Sequence, residues 1–203
     1  MLRLYDYLPS GNGYKVRLLL SHLEIPFELV ELDIVKGETR TPEFLAKNPN
    51  GKIPVLETED GRYLPESNAI LWYLAEGTPF LPADRWGRAE ALRWMFFEQY
   101  SHEPYVAVAR FMLMHLDEEM PPEQARLLAE KQERGYAALT VMERHLATQK
   151  WFAGGAYSIA DIALYAYTHV AAEGGFDLTP FGAIRGWLAR VATQPGHVAI
   201  TQR

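Results

Sequence analysis

Leu2-Arg3-Leu4-Tyr5 alternates apolar and polar positions as a short strand does. After Pro9-Ser10-Gly11-Asn12-Gly13, the apolar residues Val16, Leu19, Leu20 and Leu23 fall on one helical stripe. Ile25-Pro26 breaks that helix, and Phe27 to Leu32 reads as a second strand, which completes a β-α-β unit with parallel pairing. Pro42-Glu43-Phe44-Leu45 predicts a short helix. Ile53 to Leu56 and Arg62 to Leu64 flank Asp60-Gly61 as an antiparallel hairpin. Ser67 is then placed as the cap of a helix that carries Ile70, Leu71 and Leu74 and ends at Gly77.

Two prolines in Thr78-Pro79-Phe80-Leu81-Pro82-Ala83-Asp84 separate periodic segments, and the pattern changes beyond them. Arg88 to His115 and Pro122 to Leu146 are long helical patterns, followed by shorter ones over Ser158 to Ala172 and Phe181 to Ala192. No strand signal returns and no internal repeat is found. The expected architecture is an α/β domain over residues 1–77, a linker over 78–87 and an all-helical domain over 88–203.

Composition narrows the chemistry. The chain has 203 residues, enough for one large or two modest domains, and its 48% hydrophobic and 23% charged content is that of a globular protein. No apolar run reaches the ~18 residues of a membrane helix, and the N-terminus lacks a basic-then-apolar secretory layout, so a cytoplasmic protein is expected. A formal net charge of −6 with no Lys/Arg block argues against nucleic-acid and anionic-membrane partners. There is no cysteine, so any sulfur chemistry must use a thiol brought by a ligand. The six histidines show no clustered ligand spacing, and no metal is assigned.

Three short segments are candidates for chemistry. Ser10-Gly11-Asn12-Gly13 lies between strand and helix, where backbone N–H groups and the positive helix end face any anion; a hydroxyl there can donate to a thiolate. A plain loop with a helix cap is the simpler local account. In Asn50-Gly51-Lys52-Ile53-Pro54-Val55 a proline opens a strand where it can give no ladder hydrogen bond; an ordinary trans edge proline explains this, and a cis bond also fits. Glu66-Ser67-Asn68 opens a helix, where Ser67 either caps it or holds a carboxylate.

Together, the Ser turn after the first strand, Asn-Pro-Asn-Gly-Lys-Ile-Pro-Val, Glu-Ser-Asn-Ala-Ile-Leu-Trp-Tyr-Leu and a late Ser-Ile-Ala-Asp resemble the cytosolic glutathione S-transferase superfamily over nearly the whole chain. That resemblance implies a thioredoxin-like N-terminal domain, an all-α helical-bundle C-terminal domain and glutathione as co-substrate. It matches Ser10 with the hydroxyl that activates the glutathione thiol, and Ile53, before the family's cis-proline Pro54, with the residue whose backbone pairs with the cysteinyl unit. Glu66 and Ser67 match the pair at the γ-glutamyl end, and Lys52 resembles a residue near the glycyl carboxylate. Where several serine-class members carry a histidine for that carboxylate, this chain has Thr39 followed by Arg40. Asn12, in Ser-Gly-Asn-Gly-Tyr-Lys, resembles the bacterial Nu-like pattern, in which the asparagine also contacts the sulfur, so the resemblance lies between theta-like and Nu-like members. Asp161 with Ser158 matches the family's buried capping box, a folding device.

The function implied is transfer of glutathione to small, largely apolar electrophiles, with Ser10 as principal donor and Asn12 assisting. The electrophile is expected near Met95, Phe96, Phe97, Tyr100, His102, Tyr105, Arg110 and Phe111, many of which core or dimer packing also explains. Glutathione-dependent disulfide or peroxide reduction is the second reading, and a non-catalytic adaptor on the same fold the third. The resemblance also implies a homodimer, with the helix following Glu66 and the helix after Arg88 at its interface.

Overall fold

The computed structural model describes residues 1–116 and 119–202. The chain divides into two compact units, Met1–Thr78 together with the chain from Gln194 onward, and Pro79–Thr193.

The first unit is built on a four-stranded sheet in the order β2-β1-β3-β4. Strands β1 (Leu2–Asp6) and β2 (Phe27–Glu31) pair in parallel through α1 (Gly11–His22), as the crossover over Ile25-Pro26 predicts. β3 (Val55–Glu57) runs antiparallel to β1 and to β4 (Tyr63–Pro65). Two short helices complete it, α2 (Pro42–Lys47) and α3 (Ser67–Ala75).

Alternation along the strands gives the sheet two buried faces. Leu4 and Leu56 pack with Val16 and Leu20 of α1 and Ile70 of α3. The intervening residues Tyr5 and Val55 point the other way and pack with Phe44 of α2. These five fully buried aliphatic side chains of the larger cluster each remove apolar area worth roughly 1.5–3 kcal/mol from water, which fixes α1 and α3 on one side of the sheet.

Ser67 does not cap α3. Glu66 is the N-cap residue, at φ 72° and ψ 110°, so Ser67 is already the first helical residue. Its hydroxyl is turned to other use.

The second unit is helical: α4 (Arg85–Phe97), α5 (Glu103–Met114), α6 (Pro122–Leu146), α7 (Ile159–Thr168) and α8 (Gly182–Ala192). The pattern from Arg88 to His115 is therefore not one helix. A π-helical turn over Glu98–His102 divides it, and Pro104 sits in the first turn of α5, where a missing N–H leaves no hydrogen bond unmade. Trp94 packs edge-on against Phe152, which meets Trp187, which meets Tyr165, so one aromatic chain links α4, α7 and α8.

Asp161 and Ser158 form the expected capping box at α7. The Asp161 carboxylate also accepts from the Phe152 N–H at 3.2 Å and from Trp187 Nε1 at 2.9 Å. Burial pushes this carboxyl up to about 7, while its donors from Trp187, Phe152 and Ser158 pull against that shift.

The segment after Thr193, assigned from sequence to the helical domain, packs on α1 instead. Tyr14 Oη donates to Val198 O at 2.7 Å, Ser21 Oγ to Gly196 O at 2.8 Å, and Arg17 to Ile200 O at 2.9 Å and Gln202 O at 2.7 Å.

Candidate functional site

The first unit brings the N-termini of α1 and α3 together on one side of the sheet. α1 begins directly after Ser10, whose extended backbone (φ −73°, ψ 126°) makes it the N-cap residue. Its hydroxyl makes no capping hydrogen bond, so Ser10 caps the helix by position alone. The first turn itself contains no acidic side chain, and the buried Asp6 carboxylate packs against it at Gly13.

Asn12, two residues on, is tied to both helices. Lys15 Nζ donates to Asn12 Oδ1 at 2.8 Å, and Ser67 Oγ donates to the same oxygen at 3.3 Å. Lys15 Nζ also approaches Ser67 Oγ at 3.4 Å. Lys15 is fully buried and Ser67 nearly so. A cation and two uncharged polar groups thus meet where two helix N-termini converge.

Glu66 is exposed and held at positive φ, a conformation that costs a non-glycine residue of order 1–3 kcal/mol and is characteristic of ligand clamps. The Ile53–Pro54 bond is cis, immediately before β3. Pro54 is buried and Ile53 half-buried.

The candidates for a second carboxylate lie elsewhere. Thr39 is buried in the 3-10 turn Glu38–Arg40. Arg40 is exposed, donates to Asn50 O at 3.2 Å and lies over Gly51, where a Cβ would stand 2.5 Å from its guanidinium. Lys52 is exposed, and its carbonyl accepts from Asn48 Nδ2 at 2.7 Å.

Below the Ser10 turn lies a buried ion pair. Asp6, the last residue of β1, accepts from Arg17 Nε at 3.0 Å and from the Tyr7 N–H at 2.7 Å. Arg17 also donates to Leu8 O at 2.7 Å, two residues before Ser10. Burial pushes the Asp6 carboxyl up to about 6, and the Arg17 charge opposes that shift.

The helical-unit candidates have different surroundings. His102, expected at an electrophile pocket, is wholly buried with Nε2 3.0 Å from Thr168 Oγ1. Arg110 is likewise buried and paired with Glu173 at 2.6 Å. The helical spacing that suggested a pocket wall is here internal packing, and both polar groups are occupied within the unit. Tyr105 lies beneath Arg134 and Lys131, Phe97 meets Trp94 edge-on, and Tyr100 is 83% exposed.

Sequence reasoning overlooked Lys15 and the backbone of Glu66. The Lys15 signal was its i,i+3 spacing from Asn12, one helical turn away. Among the described residues no group of three or more His, Asp or Glu side chains gathers as a metal-ligand set, and no helix is long and apolar enough to cross a membrane.

The chain belongs to the glutathione S-transferase family. The family's N-terminal domain matches residues 1–76 and its C-terminal domain residues 94–195. It is 32% identical over 202 residues to the disulfide-bond oxidoreductase YfcG of Escherichia coli, covering 96% of this chain and 92% of that protein. A crystal structure of a glutathione S-transferase from Pseudomonas fluorescens superposes with a TM-score of 0.96 at 52% identity, covering 99% of both chains. A glutathione transferase of Phanerochaete chrysosporium, URE2P8, solved with oxidized glutathione, superposes with a TM-score of 0.84 at 26% identity, over 96% of this chain and 90% of that one.

Proposed function

We propose that the protein binds glutathione at the converging ends of α1 and α3 and activates its thiol for attack on a small, largely apolar electrophile. The observation that carries this reading is the shared oxygen Asn12 Oδ1, which Lys15 and Ser67 both reach while the Ser10 hydroxyl is left out of helix capping. Glu66 and Ser67 take the γ-glutamyl end, the backbone of Ile53 takes the cysteinyl unit, and Thr39, Arg40 and Lys52 take the glycyl carboxylate.

A free thiol with pKa ~8.5 is only about 3% thiolate at neutral pH. A donor hydroxyl, a helix N-terminus and a nearby ammonium all favour the anion. Lowering the thiol pKa to about 6.5, worth about 2.7 kcal/mol, makes most bound ligand nucleophilic. Ser10 acts as a donor and not as a base.

Glutathione-dependent disulfide reduction is the second reading. Asn12 favours it, as does the 32% identity to a disulfide-bond oxidoreductase; with no cysteine in the chain, two glutathiones supply the thiols and leave as their disulfide. The same binding residues weigh against an adaptor, which needs none of them. A homodimer is supported by the exposed side chains of Leu92, Phe96 and Tyr100, four residues apart on α4 and the turn after it.

Calorimetry with glutathione tests the binding, and assays with a chlorinated aromatic, a hydroperoxide and a small disulfide separate the activities. Conjugation outrunning reduction supports the first reading. Undetectable binding at millimolar glutathione overturns both.

A further inference from the structure

Lys15 is a fully buried lysine in the first turns of α1, a position that the helix dipole makes unfavourable for a cation. Such a residue costs stability unless its charge is used. We propose that Lys15 is a positioning residue: it fixes the orientation of the Asn12 amide and so makes this turn a hydrogen-bond donor site for a thiolate. This inference rests on the proposed glutathione site.

An ammonium has only protons to give, so the Asn12 atom 2.8 Å from Lys15 Nζ is the carbonyl oxygen. The Ser67 hydroxyl gives to that same oxygen from α3, 52 residues beyond Lys15. Lys15 alone keeps Oδ1 on the helix side once the single Ser67 proton is given to a bound carboxylate. The amide nitrogen is the other branch of a side chain that is half-exposed. A freely rotating asparagine would present its oxygen to an anion half the time and repel it. Held in this way, it keeps its oxygen away from an anion.

The ammonium also adds its own field. Its charge lies one helical turn from Asn12 and within reach of Ser67, between the groups assigned to the sulfur and those assigned to the γ-glutamyl carboxylate. In a buried setting that charge is weakly screened and favours the thiolate over the thiol. Arginine at this position keeps the charge, whereas methionine keeps only the stem.

The test is the pH dependence of thiolate absorbance for glutathione bound to wild-type protein, Lys15→Met and Lys15→Arg, with rates measured for these variants, Asn12→Ala and the Lys15→Met/Asn12→Ala double variant. Lys15→Met is expected to raise the bound thiol's pKa by about one unit and to lower the rate below that pKa about tenfold. Lys15→Arg should stay within about threefold of wild type. In the Asn12→Ala background Lys15→Met should cost clearly less than in wild type, because the part acting through the amide is already lost and only the direct field remains. An unshifted thiol pKa in folded Lys15→Met, beside a lowered one in wild type, overturns the inference and leaves the glutathione site standing. A wild type that leaves the thiol pKa unlowered removes the site itself. Should Lys15→Met not fold, the side-chain amide resonances of Asn12 in wild type and Lys15→Arg decide: they must shift when glutathione binds, and unshifted resonances overturn the inference.

Discussion

Asp6 Oδ2 and Arg17 Nε lie 3.0 Å apart beneath the first turn of α1, and both side chains are buried. Gly13 packs directly on the carboxylate, where a Cβ would overlap Asp6 Oδ1. The same guanidinium reaches Leu8 O, Ile200 O and Gln202 O. One arginine therefore ties together the end of β1, the approach to Ser10 and the segment after Thr193.

Replacing Arg17 by methionine strands a buried carboxylate and three carbonyl groups. The expected loss is about 3–5 kcal/mol near pH 8. Asp6 already titrates up to about 6, above its unfolded value, so its ionised form opposes folding as pH rises through that range. Without Arg17 its folded pKa climbs further. The variant should lose least against wild type near pH 5, where the carboxyl can be neutral, and most near pH 8. Urea unfolding at both pH values checks this, and a pH-independent difference counts against it.

The docking of the segment after Thr193 should weaken in mild acid. His22 Nδ1 lies 2.7 Å from Pro195 O, and His197 Nε2 lies 3.3 Å from Tyr14 Oη. Burial lowers both pKa values; at His22 the Pro195 carbonyl opposes that shift and the His197 charge adds to it. A histidine with a depressed folded pKa stabilises fully above its unfolded value of ~6.5, and that contribution is lost as pH falls through the folded pKa. Amide exchange of residues 196–202, corrected for intrinsic rates, should accelerate between pH 7.5 and 5.5. Equal protection at both contradicts the account.

Asp161→Ala should cost more than a lost helix cap. Besides Ser158, it leaves the Phe152 N–H and Trp187 Nε1 unpaired inside the helical unit, for a destabilisation of at least ~3 kcal/mol. Per folded molecule the rate should be nearly unchanged. A selective loss of rate at full stability would sink this assignment.

Ser67→Ala is expected to weaken glutathione binding by about 1–3 kcal/mol, since a desolvated carboxylate loses a donor. Ser67 is not the cap of α3, but its hydroxyl bonds Asn12 and Lys15, so the melting temperature is measured on the same variant to separate binding from stability. Unchanged affinity by calorimetry removes Ser67 from the site.

How legible the molecule was depends on the range of the interactions involved. The parallel β1–β2 pairing and the hairpin at Asp60-Gly61 follow from local alternation and turn residues, and they fold as expected. The π-helical turn over Glu98–His102 interrupts a helical pattern in which only Pro104 hints at a break. Ser67 looked like a cap because helix starts favour serine, whereas its actual place follows from the positive φ of Glu66, which no residue type announces. Lys15 and Arg17 lie off the apolar stripe of α1. Their burial depends on partners as far away as Ser67 and Gln202. Asn12 and Ser67 are 55 residues apart, and their shared hydrogen bond has no local signature.

The central claim is that the turn carrying Ser10 and Asn12 activates a bound thiol. The most direct measurement is the pKa of that thiol, read from thiolate absorbance against pH with glutathione bound, in wild type, Ser10→Ala and Asn12→Ala. Wild type should hold it near ~6.5, well below the ~8.5 of a free thiol. Ser10→Ala should raise it and cost roughly 10- to 1,000-fold in rate, as for one lost oxyanion donor, with Asn12→Ala raising it less. A thiol pKa that neither substitution moves would contradict the account.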